Sequence, residues 1–566
     1  MCEARWFGVL FPCLFLAACT SRVPTGGDAD GSGGADSGSS SGGGSVEGGS
    51  VDATGGEGGG AVTLPANDAV DILFVVDNSG SMGPAQGRLA QAMPTLLGAL
   101  ADPDRPADLR LGFTTTDNGN PWCGATTPEA GALVLQSCRE RPGQFVFEGQ
   151  PPVDATAVAC NDVCTLDSLA ITPTTTAYDP TPRERPWLEQ TAGVANVQGD
   201  LAQAAACAAP QGIAGCGFES HLESMYKAML RSQSAQDPAY GFLRAGAVLA
   251  LVVVSDEVDC SYVDTYQEIF LPESMGGTTV FWSDPDAAAP SSAVCWNAGV
   301  LCEGDGAPYD GCVSSNKDTS GNVDVADGAA VLQPLSRYVD FVQQLEELSA
   351  QLRPGAEVIV SEIVGVPPGY DDGSAEIIYA NSVDPAEQID FGIAAGCADE
   401  SALPNPIRGR PPVREREFAE SFAVGGARNL HSICESSYDG AMQAIADAVR
   451  GQLSNGCVPV CVADSDPTTE GLDPLCTVVQ QAPDLGGGSV VETEVPPCEG
   501  DVVPDGADLC YQTRSGDALA PACADDGWNL QLLLHRRAGL PAPEGAVLAV
   551  TCQLSANQAI DCPGLP

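Results

Sequence analysis

Short apolar runs alternate with segments of helical periodicity along most of the chain. The runs are rich in Val, Ile and Leu, as is typical of buried strands, and cover residues 72–76, 109–113, 247–254, 357–364 and 430–434. Apolar residues recur at helical spacing in residues 88–100, 222–229, 335–352 and 440–453. This alternation predicts an α/β fold, with a doubly wound, mostly parallel sheet and helices on both faces.

Three Pro- and Cys-rich insertions interrupt this pattern. They cover about residues 118–192, 260–331 and 365–414, and each follows a predicted strand. Because the loops that follow parallel strands lie at the carboxyl edge of the sheet, we expect all three insertions to crowd that edge. The α/β domain with its insertions is assigned to residues 63–455.

The amino-terminal 62 residues differ in composition from the rest of the chain. Residues 1–18 carry a short apolar core too short to span a bilayer, as in a secretory signal peptide. They end at Leu16-Ala17-Ala18-Cys19, which resembles a bacterial lipobox and implies lipid attachment at Cys19; the alternative is an ordinary signal peptide with a chance cysteine. Residues 19–62, rich in Gly, Ser and Asp, predict a disordered tether.

The cysteines support export to an oxidising compartment. Without Cys2, Cys13 and Cys19, 20 of the 23 remain, twelve between Cys123 and Cys434 and eight between Cys457 and Cys562. Even counts in both blocks predict disulfides that stay within each region. Residues 456–566, rich in Cys, Pro and Gly, are expected to form a small disulfide-stapled, β-rich module.

The formal net charge of −52 is extreme. A negative field of this size repels nucleic acid and anionic membrane surfaces and attracts divalent cations. Nucleic acid is therefore excluded as a partner, and the only membrane attachment expected is the lipid on Cys19.

The strongest chemical signal follows the first buried strand, at Asp77-Asn78-Ser79-Gly80-Ser81. It presents a carboxylate and two hydroxyls at alternate positions. Oxygen ligands gathered at the carboxyl end of a central strand suit a hard divalent cation such as Mg²⁺ or Ca²⁺.

Together with Asp256, which closes the apolar run 247–254, this motif resembles the metal-ion-dependent adhesion site of the von Willebrand factor A domain. The resemblance implies that Ser79 and Ser81 bind Mg²⁺ (or Ca²⁺ or Mn²⁺) directly, while Asp77 and Asp256 act largely through bound water. It also implies an open coordination position that captures an acidic side chain of a partner.

The sequence departs from the family pattern at the threonine that completes this site. The corresponding loop, residues 215–220, contains no threonine. Glu219 and Ser220 are candidates, and the threonines at 114–116 are a third possibility. Glu219 is taken as the ligand, although a carboxylate in the first turn also stabilises a helix without binding metal.

These observations favour a lipid-anchored envelope protein, on the outer membrane, that binds a protein or surface-polymer ligand. The alternative is a structural or assembly protein of the envelope with a degenerate, covered metal site. No enzymatic activity is expected, because no motif places a base beside a candidate nucleophile such as Ser79.

Overall fold

The computed structural model describes residues 60–66, 68–101, 107–149, 151–353, 355–469, 471–484, 489–500 and 502–565. The signal peptide, Cys19 and residues 19–59 of the expected tether lie outside them. No helix within these ranges combines the length and the apolar character needed to cross a membrane.

Twenty-one strands and ten α-helices form within the described residues. The strands up to residue 364 are β1 (Gly60–Pro65), β2 (Ala69–Val76), β3 (Asp108–Thr115), β4 (Val146–Phe147), β5 (Val153–Asp154), β6 (Thr174–Thr176), β7 (Asp179–Arg183), β8 (Leu188–Thr191), β9 (Val194–Ala195), β10 (Val248–Val254), β11 (Val300–Glu303), β12 (Gly311–Ser314) and β13 (Ile359–Val364). The later strands are β14 (Cys397–Asp399), β15 (Ile407–Gly409), β16 (Leu430–Ser432), β17 (Cys476–Pro483), β18 (Val490–Glu494), β19 (Leu509–Arg514), β20 (Gln531–Arg536) and β21 (Val547–Cys552). The helices are α1 (Gly83–Leu100), α2 (Leu201–Ala208), α3 (His221–Ser232), α4 (Ala293–Gly299), α5 (Leu335–Leu352), α6 (Pro385–Phe391), α7 (Val413–Glu420), α8 (Asp439–Gln452), α9 (Pro521–Asp525) and α10 (Gln558–Asp561).

The main sheet has seven strands in the order β16-β13-β10-β2-β3-β8-β9. The first five are mutually parallel, whereas β8 and β9 continue the sheet in antiparallel fashion. The sheet is thus mixed, and its antiparallel edge comes partly from residues 188–191, which the sequence pattern assigned to an insertion. With its flanking helices it forms an α/β fold.

Alternate side chains of the central strands point into two separate cores. Ile72 and Phe74 of β2 belong to a core that also contains apolar residues of α1, α2 and α8. Leu73 and Val75 belong to the opposite core, with residues of α3, α5 and α7. Because both faces are covered, β2 carries no exposed residue, which explains its unbroken apolar run.

The structure contains the predicted strands and helices, with small differences in where they begin and end. Helix α5 has the predicted bounds, 335–352. Helix α1 begins at Gly83, five residues earlier than the periodicity indicated, because Pro84 occupies its first turn, where a missing backbone N–H costs nothing.

Ten disulfides connect the cysteines within the described residues, six between Cys123 and Cys434 and four between Cys457 and Cys562. No bond joins the two regions within these ranges. The predicted separation into two disulfide blocks is confirmed.

The carboxyl-terminal region is built around a four-stranded sheet in the order β1-β21-β17-β18, with β19 and β20 as a separate ribbon. Strand β1 pairs along its length with β21, from Gly60 beside Cys552 to Pro65 beside Val547. It therefore takes residues assigned to the tether (60–62) and to the α/β domain (63–65) into the carboxyl-terminal sheet.

Candidate metal centre

The strand register brings the candidate residues to one edge of the main sheet. Val76 of β2 lies between Thr115 of β3 and Val254 of β10. The residues after these strands consequently emerge side by side, and the backbone N–H of Asp77 donates to the carbonyl of Val254 at 2.9 Å. Asp77 thus lies between Thr116 on one side and Ser255 on the other.

Asp77 is fully buried, and protein groups occupy both of its carboxylate oxygens. Oδ1 accepts the backbone N–H of Ser79 at 2.7 Å, and Oδ2 accepts the hydroxyl of Ser255 at 2.6 Å. Its carbonyl accepts Nε2 of Gln86 at 2.7 Å. Asp77 therefore fixes the loop that carries the two serines.

The hydroxyls of Ser79 and Ser81 lie 3.0 Å apart, and that of Ser81 donates to Oδ1 of Asp256 at 2.9 Å. The predicted site residues Ser79, Ser81 and Asp256 therefore form one chain of oxygen atoms connected by hydrogen bonds. Gly80 lies in the turn of this loop and has no positive φ. A Cβ there would lie 2.8 Å from the ring of Phe147, so the loop needs glycine for this close approach.

Glu219 is buried on the other side of Asp77, ahead of α3. The hydroxyl of Thr116 donates to Oε2 of Glu219. Its second oxygen, Oε1, is buried and has no hydrogen-bond partner among the described residues. Two of the candidates for the missing threonine, Glu219 and the threonines at 114–116, are thus brought into contact. The third candidate, Ser220, donates its hydroxyl to the carbonyl of Cys260 at 3.0 Å.

Several carboxylates crowd this edge of the sheet. Burial and the charge of Asp77 raise the pKa of Asp256 to about 7, against the hydrogen bond from Ser81 and the charge of Arg410. Burial and Asp77 also raise the pKa of Glu219 and that of Glu257 well above the ordinary values. Removing protons from all of these groups together requires a compensating positive charge.

A cleft of about 510 Å³ opens beside this chain of oxygens. Ser79, Ser81, Asp256 and Glu257 form its floor, whereas Asp77 and Glu219 lie behind the floor and do not line it. Glu257 was not predicted as a site residue, although it directly follows Asp256 in the sequence.

The insertions surround the cleft, as their positions after strands predicted. Phe147 of the first insertion lines one side, and residues of α6 and β15 from the third line another. The second insertion reaches the site through the hydroxyl of Ser292, which donates to Oε2 of Glu257 at 3.2 Å. Ser81 borders the open cleft beside this insertion.

The donor set is compatible with a hard cation, but only with the serines included. No three His, Cys, Asp or Glu side chains in the described part of the chain are arranged to hold a metal ion by themselves. The hydroxyls of Ser79 and Ser81, the carboxylate of Asp256 and the unpartnered Oε1 of Glu219 are all oxygen donors of the kind that Mg²⁺ and Ca²⁺ prefer.

No protein-family model matches the sequence, and no curated protein is significantly similar to it. Among solved structures, the chain is similar to the open conformation of the pilus adhesin SpaC from Lactobacillus rhamnosus GG, with 10% identity and a TM-score of 0.28, over 89% of this chain and 41% of SpaC. It is also similar to the vWF domain of the type V pili tip protein Mfa5 from Porphyromonas gingivalis, with 10% identity and a TM-score of 0.24, over 70% of this chain and 99% of that domain. Likenesses at this level do not place the chain in a family.

Proposed function

We propose that this protein is a cell-envelope binding protein whose doubly wound, von Willebrand A-type domain holds a divalent cation and captures a protein or surface-polymer ligand. The observation that carries the proposal is the cleft beside Ser79, Ser81 and Asp256. An open space next to converging oxygen donors leaves room for a ligand group to reach a cation bound there.

The residues divide into direct and indirect roles in this proposal. Ser79 and Ser81 would hold Mg²⁺, or Ca²⁺ or Mn²⁺, directly, and Asp256 and Asp77 would act largely through bound water. Glu219 would take the place of the threonine. Neutral hydroxyl ligands leave much of the cation's charge available, which favours an acidic side chain as the ligand group.

The crowding of carboxylates supports a bound cation. The raised pKa values of Asp256, Glu257 and Glu219 reflect burial and mutual repulsion. A divalent cation would relieve that repulsion and also pair the buried Oε1 of Glu219.

Thermal unfolding of the chain truncated at Cys19, with Mg²⁺ or Ca²⁺ added to a chelated sample, tests the metal site. A ligand that binds only the folded state stabilises it by about 2.7 kcal/mol at a hundred times its dissociation constant, so the midpoint should rise with metal concentration. The double variant Asp77→Ala/Ser79→Ala should lose this rise.

A matched double variant, Ser336→Ala/Asp340→Ala, changes exposed residues of α5 and should retain the rise. No rise in the unaltered protein, or an equal rise in the Asp77→Ala/Ser79→Ala variant, would refute the metal site.

Anchoring through Cys19 is a separate part of the proposal and is tested separately. The full chain should partition with the outer-membrane fraction, and Cys19→Ser should move it to the soluble fraction. Membrane association that survives Cys19→Ser would exclude lipid on this residue as the anchor.

A further inference from the structure

One short segment of the third insertion contacts both arms of the proposed metal site. We call it the bridge segment and define it as residues 405–410, which begin just before β15 and end just after it. Asn405 stands 324 positions after Ser81 in the chain, so only tertiary packing brings the two together. The pairing of cation and cleft alone does not explain why this segment reaches the site.

Asn405 holds the arm that carries the two serines. Its Nδ2 atom donates a hydrogen bond to the backbone carbonyl of Ser81 at 2.8 Å. The hydroxyl of Ser81 donates in turn to Oδ1 of Asp256 at 2.9 Å. Asn405 therefore fixes the backbone of a residue whose side chain is a proposed metal ligand.

Arg410 holds the second arm, at the other end of the bridge segment. Its backbone N–H donates to the carbonyl of Asp256 at 2.8 Å. Its guanidinium donates through Nη1 to Oε1 of Glu387 at 2.7 Å and lies 3.7 Å from the ring centre of Phe391, so Arg410 is itself held in place. The bridge segment thus contacts the backbone of Ser81 at one end and the backbone of Asp256 at the other.

The bridge segment is closely packed between these two contacts. Ile407 is fully buried, in the same core as Ile72 and Phe74 of β2. Gly365, directly after β13, lies so near that a Cβ on it would come 1.9 Å from the carbonyl of Arg410. Because closely packed segments transmit displacements, the bridge segment can set how far apart the two arms lie.

The unpaired oxygen of Asn405 indicates that this side chain serves the site more than the stability of the fold. Its Oδ1 atom is buried and has no hydrogen-bond partner among the described residues. A buried acceptor without a partner destabilises a folded protein, and each such group calls for an explanation. The bond from Nδ2 to Ser81 provides one, because it needs an amide at this position.

We propose that Asn405 is a positioning residue that sets the distance between Ser81 and Asp256 and thereby the selectivity of the site for Mg²⁺ over Ca²⁺. The inference rests on the proposed function, since it concerns the cation held there. Mg²⁺ requires near-ideal octahedral geometry with oxygen ligands at about 2.0–2.1 Å, whereas Ca²⁺ accepts flexible geometry at about 2.3–2.6 Å. Loosening one arm against the other should therefore weaken the binding of Mg²⁺ more than that of Ca²⁺.

Titration calorimetry of the full chain with Mg²⁺ alone and with Ca²⁺ alone tests this proposal. Asn405→Leu keeps a similar shape but cannot donate to Ser81. It should bind Mg²⁺ about tenfold more weakly and Ca²⁺ less than about threefold more weakly. Asn405→Gln, which keeps an amide donor on a longer side chain, should recover part of the Mg²⁺ affinity.

The control variant Asn557→Leu makes the same change at an exposed position of the carboxyl-terminal region. The side chain of Asn557 forms no capping hydrogen bond with the helix that it precedes. This variant should bind both ions as the unaltered chain does.

The ratio of the two affinities separates positioning from a merely structural role. A selective loss of Mg²⁺ affinity in Asn405→Leu supports the proposal. Equal losses for the two ions, or unchanged affinities, overturn it and leave the metal site in place. Binding of neither ion by the unaltered chain overturns the metal site and this proposal together. If unfolding in chelator shows that Asn405→Leu does not fold, Asn405→Ala, whose side chain ends at Cβ, takes its place with the same expected change in the ratio.

Discussion

Glu219 is the residue at which this chain departs most from the metal site it resembles. Its carboxylate replaces a threonine hydroxyl, and Thr116 from the neighbouring strand hydrogen-bonds to it. A carboxylate should bind the cation more tightly but repel Asp77 and Glu257 when the cation is absent. Glu219→Gln should therefore have opposite effects in the two states.

In chelator, Glu219→Gln should raise the unfolding midpoint, because it replaces a buried carboxyl group, whose ionised form is disfavoured in the folded protein, with a neutral amide. In metal, the variant should bind Mg²⁺ roughly ten- to a hundredfold more weakly, a range typical of lost metal-site interactions. Thermal unfolding across a metal titration measures both quantities. A lower midpoint in chelator together with unchanged metal affinity would assign Glu219 a purely structural role.

Glu362 of β13 should make stability depend on pH. Its side chain is buried, and neither oxygen has a hydrogen-bond partner among the described residues. Burial, followed by the charges of Glu415 and Asp259, raises the pKa of Glu362 well above its ordinary value. The folded state therefore binds this proton more tightly than the unfolded chain, so stability falls as pH rises above the unfolded pKa of about 4.3.

Glu362→Gln stays neutral, and it should raise the free energy of unfolding at about pH 8 with little effect at about pH 4. Denaturant unfolding at both pH values measures the difference. Glu357→Gln makes the same change at an exposed position just before the same strand and serves as the surface control. Equal effects of Glu362→Gln at the two pH values would contradict the assignment.

The residues of the site differ in how far the sequence reveals them. Ser79, Ser81 and Asp256 follow apolar runs directly, and neighbouring parallel strands must bring such residues together. Arg410 lies far along the chain in an aperiodic insertion, so no local pattern connects it with Asp256. Its place beside the site depends on tertiary packing that only the structure reveals.

At the scale of elements, the long strands and helices were predictable from their regularly spaced apolar residues. The short strands within the insertions were not. Helix α5 needed no correction because one face of its 18 residues is steadily apolar. Strand β8 has four residues and joins the sheet only through pairing with β3. Helix α6 had a local signal, since Asp384 caps it through the N–H of Ala386 and Pro385 starts it.

A disulfide and an ion pair help to fix the hairpin β14–β15, which carries Arg408, to the rest of the α/β domain. The disulfide Cys397–Cys434 joins it to the residues that follow β16, and Asp399 pairs with Arg88 of α1. This disulfide closes a loop of 37 residues, and such a bond typically contributes about 2–4 kcal/mol.

Cys397→Ser/Cys434→Ser should increase amide hydrogen exchange in residues 397–410 while strands β2 and β10 remain protected. As a control, Cys302→Ser/Cys312→Ser removes a bond within the ribbon β11–β12 and should leave exchange in residues 397–410 unchanged. Unchanged exchange in the first variant would show that packing alone holds the hairpin.

At the scale of the whole molecule, the candidate metal site and the first described residues lie near opposite ends of strand β2. Strand β2 begins at Ala69, four residues after β1, and ends beside Asp77. Eight residues of strand span roughly 26 Å. The described chain therefore starts in the carboxyl-terminal sheet, about the length of β2 away from Asp77.

Buried charges lie where the carboxyl-terminal region meets the α/β domain. Arg244 binds Asp71 through Nε at 2.8 Å, and Arg110 binds Glu189 at 2.8 Å, both within the α/β domain. Glu544 of the carboxyl-terminal region is buried close to both arginines. Burial raises its pKa, while the charges of Arg110 and Arg244 oppose that rise. The two regions thus meet at a junction of buried charges, in which neither carboxylate oxygen of Glu544 has a hydrogen-bond partner among the described residues.

This junction should make the two regions unfold together. A buried charge left without a partner typically costs about 3–5 kcal/mol. Glu544→Arg would place a third positive charge beside Arg110 and Arg244, so calorimetry should show the single unfolding transition of the unaltered chain split in two. Glu492→Arg, on the exposed strand β18 of the same region, makes the same charge change away from the junction and should keep one transition. One transition at an unchanged midpoint in Glu544→Arg would mean that the regions are coupled only through β1 and the chain itself. In that case the carboxyl-terminal region would unfold independently of the α/β domain that carries the cleft.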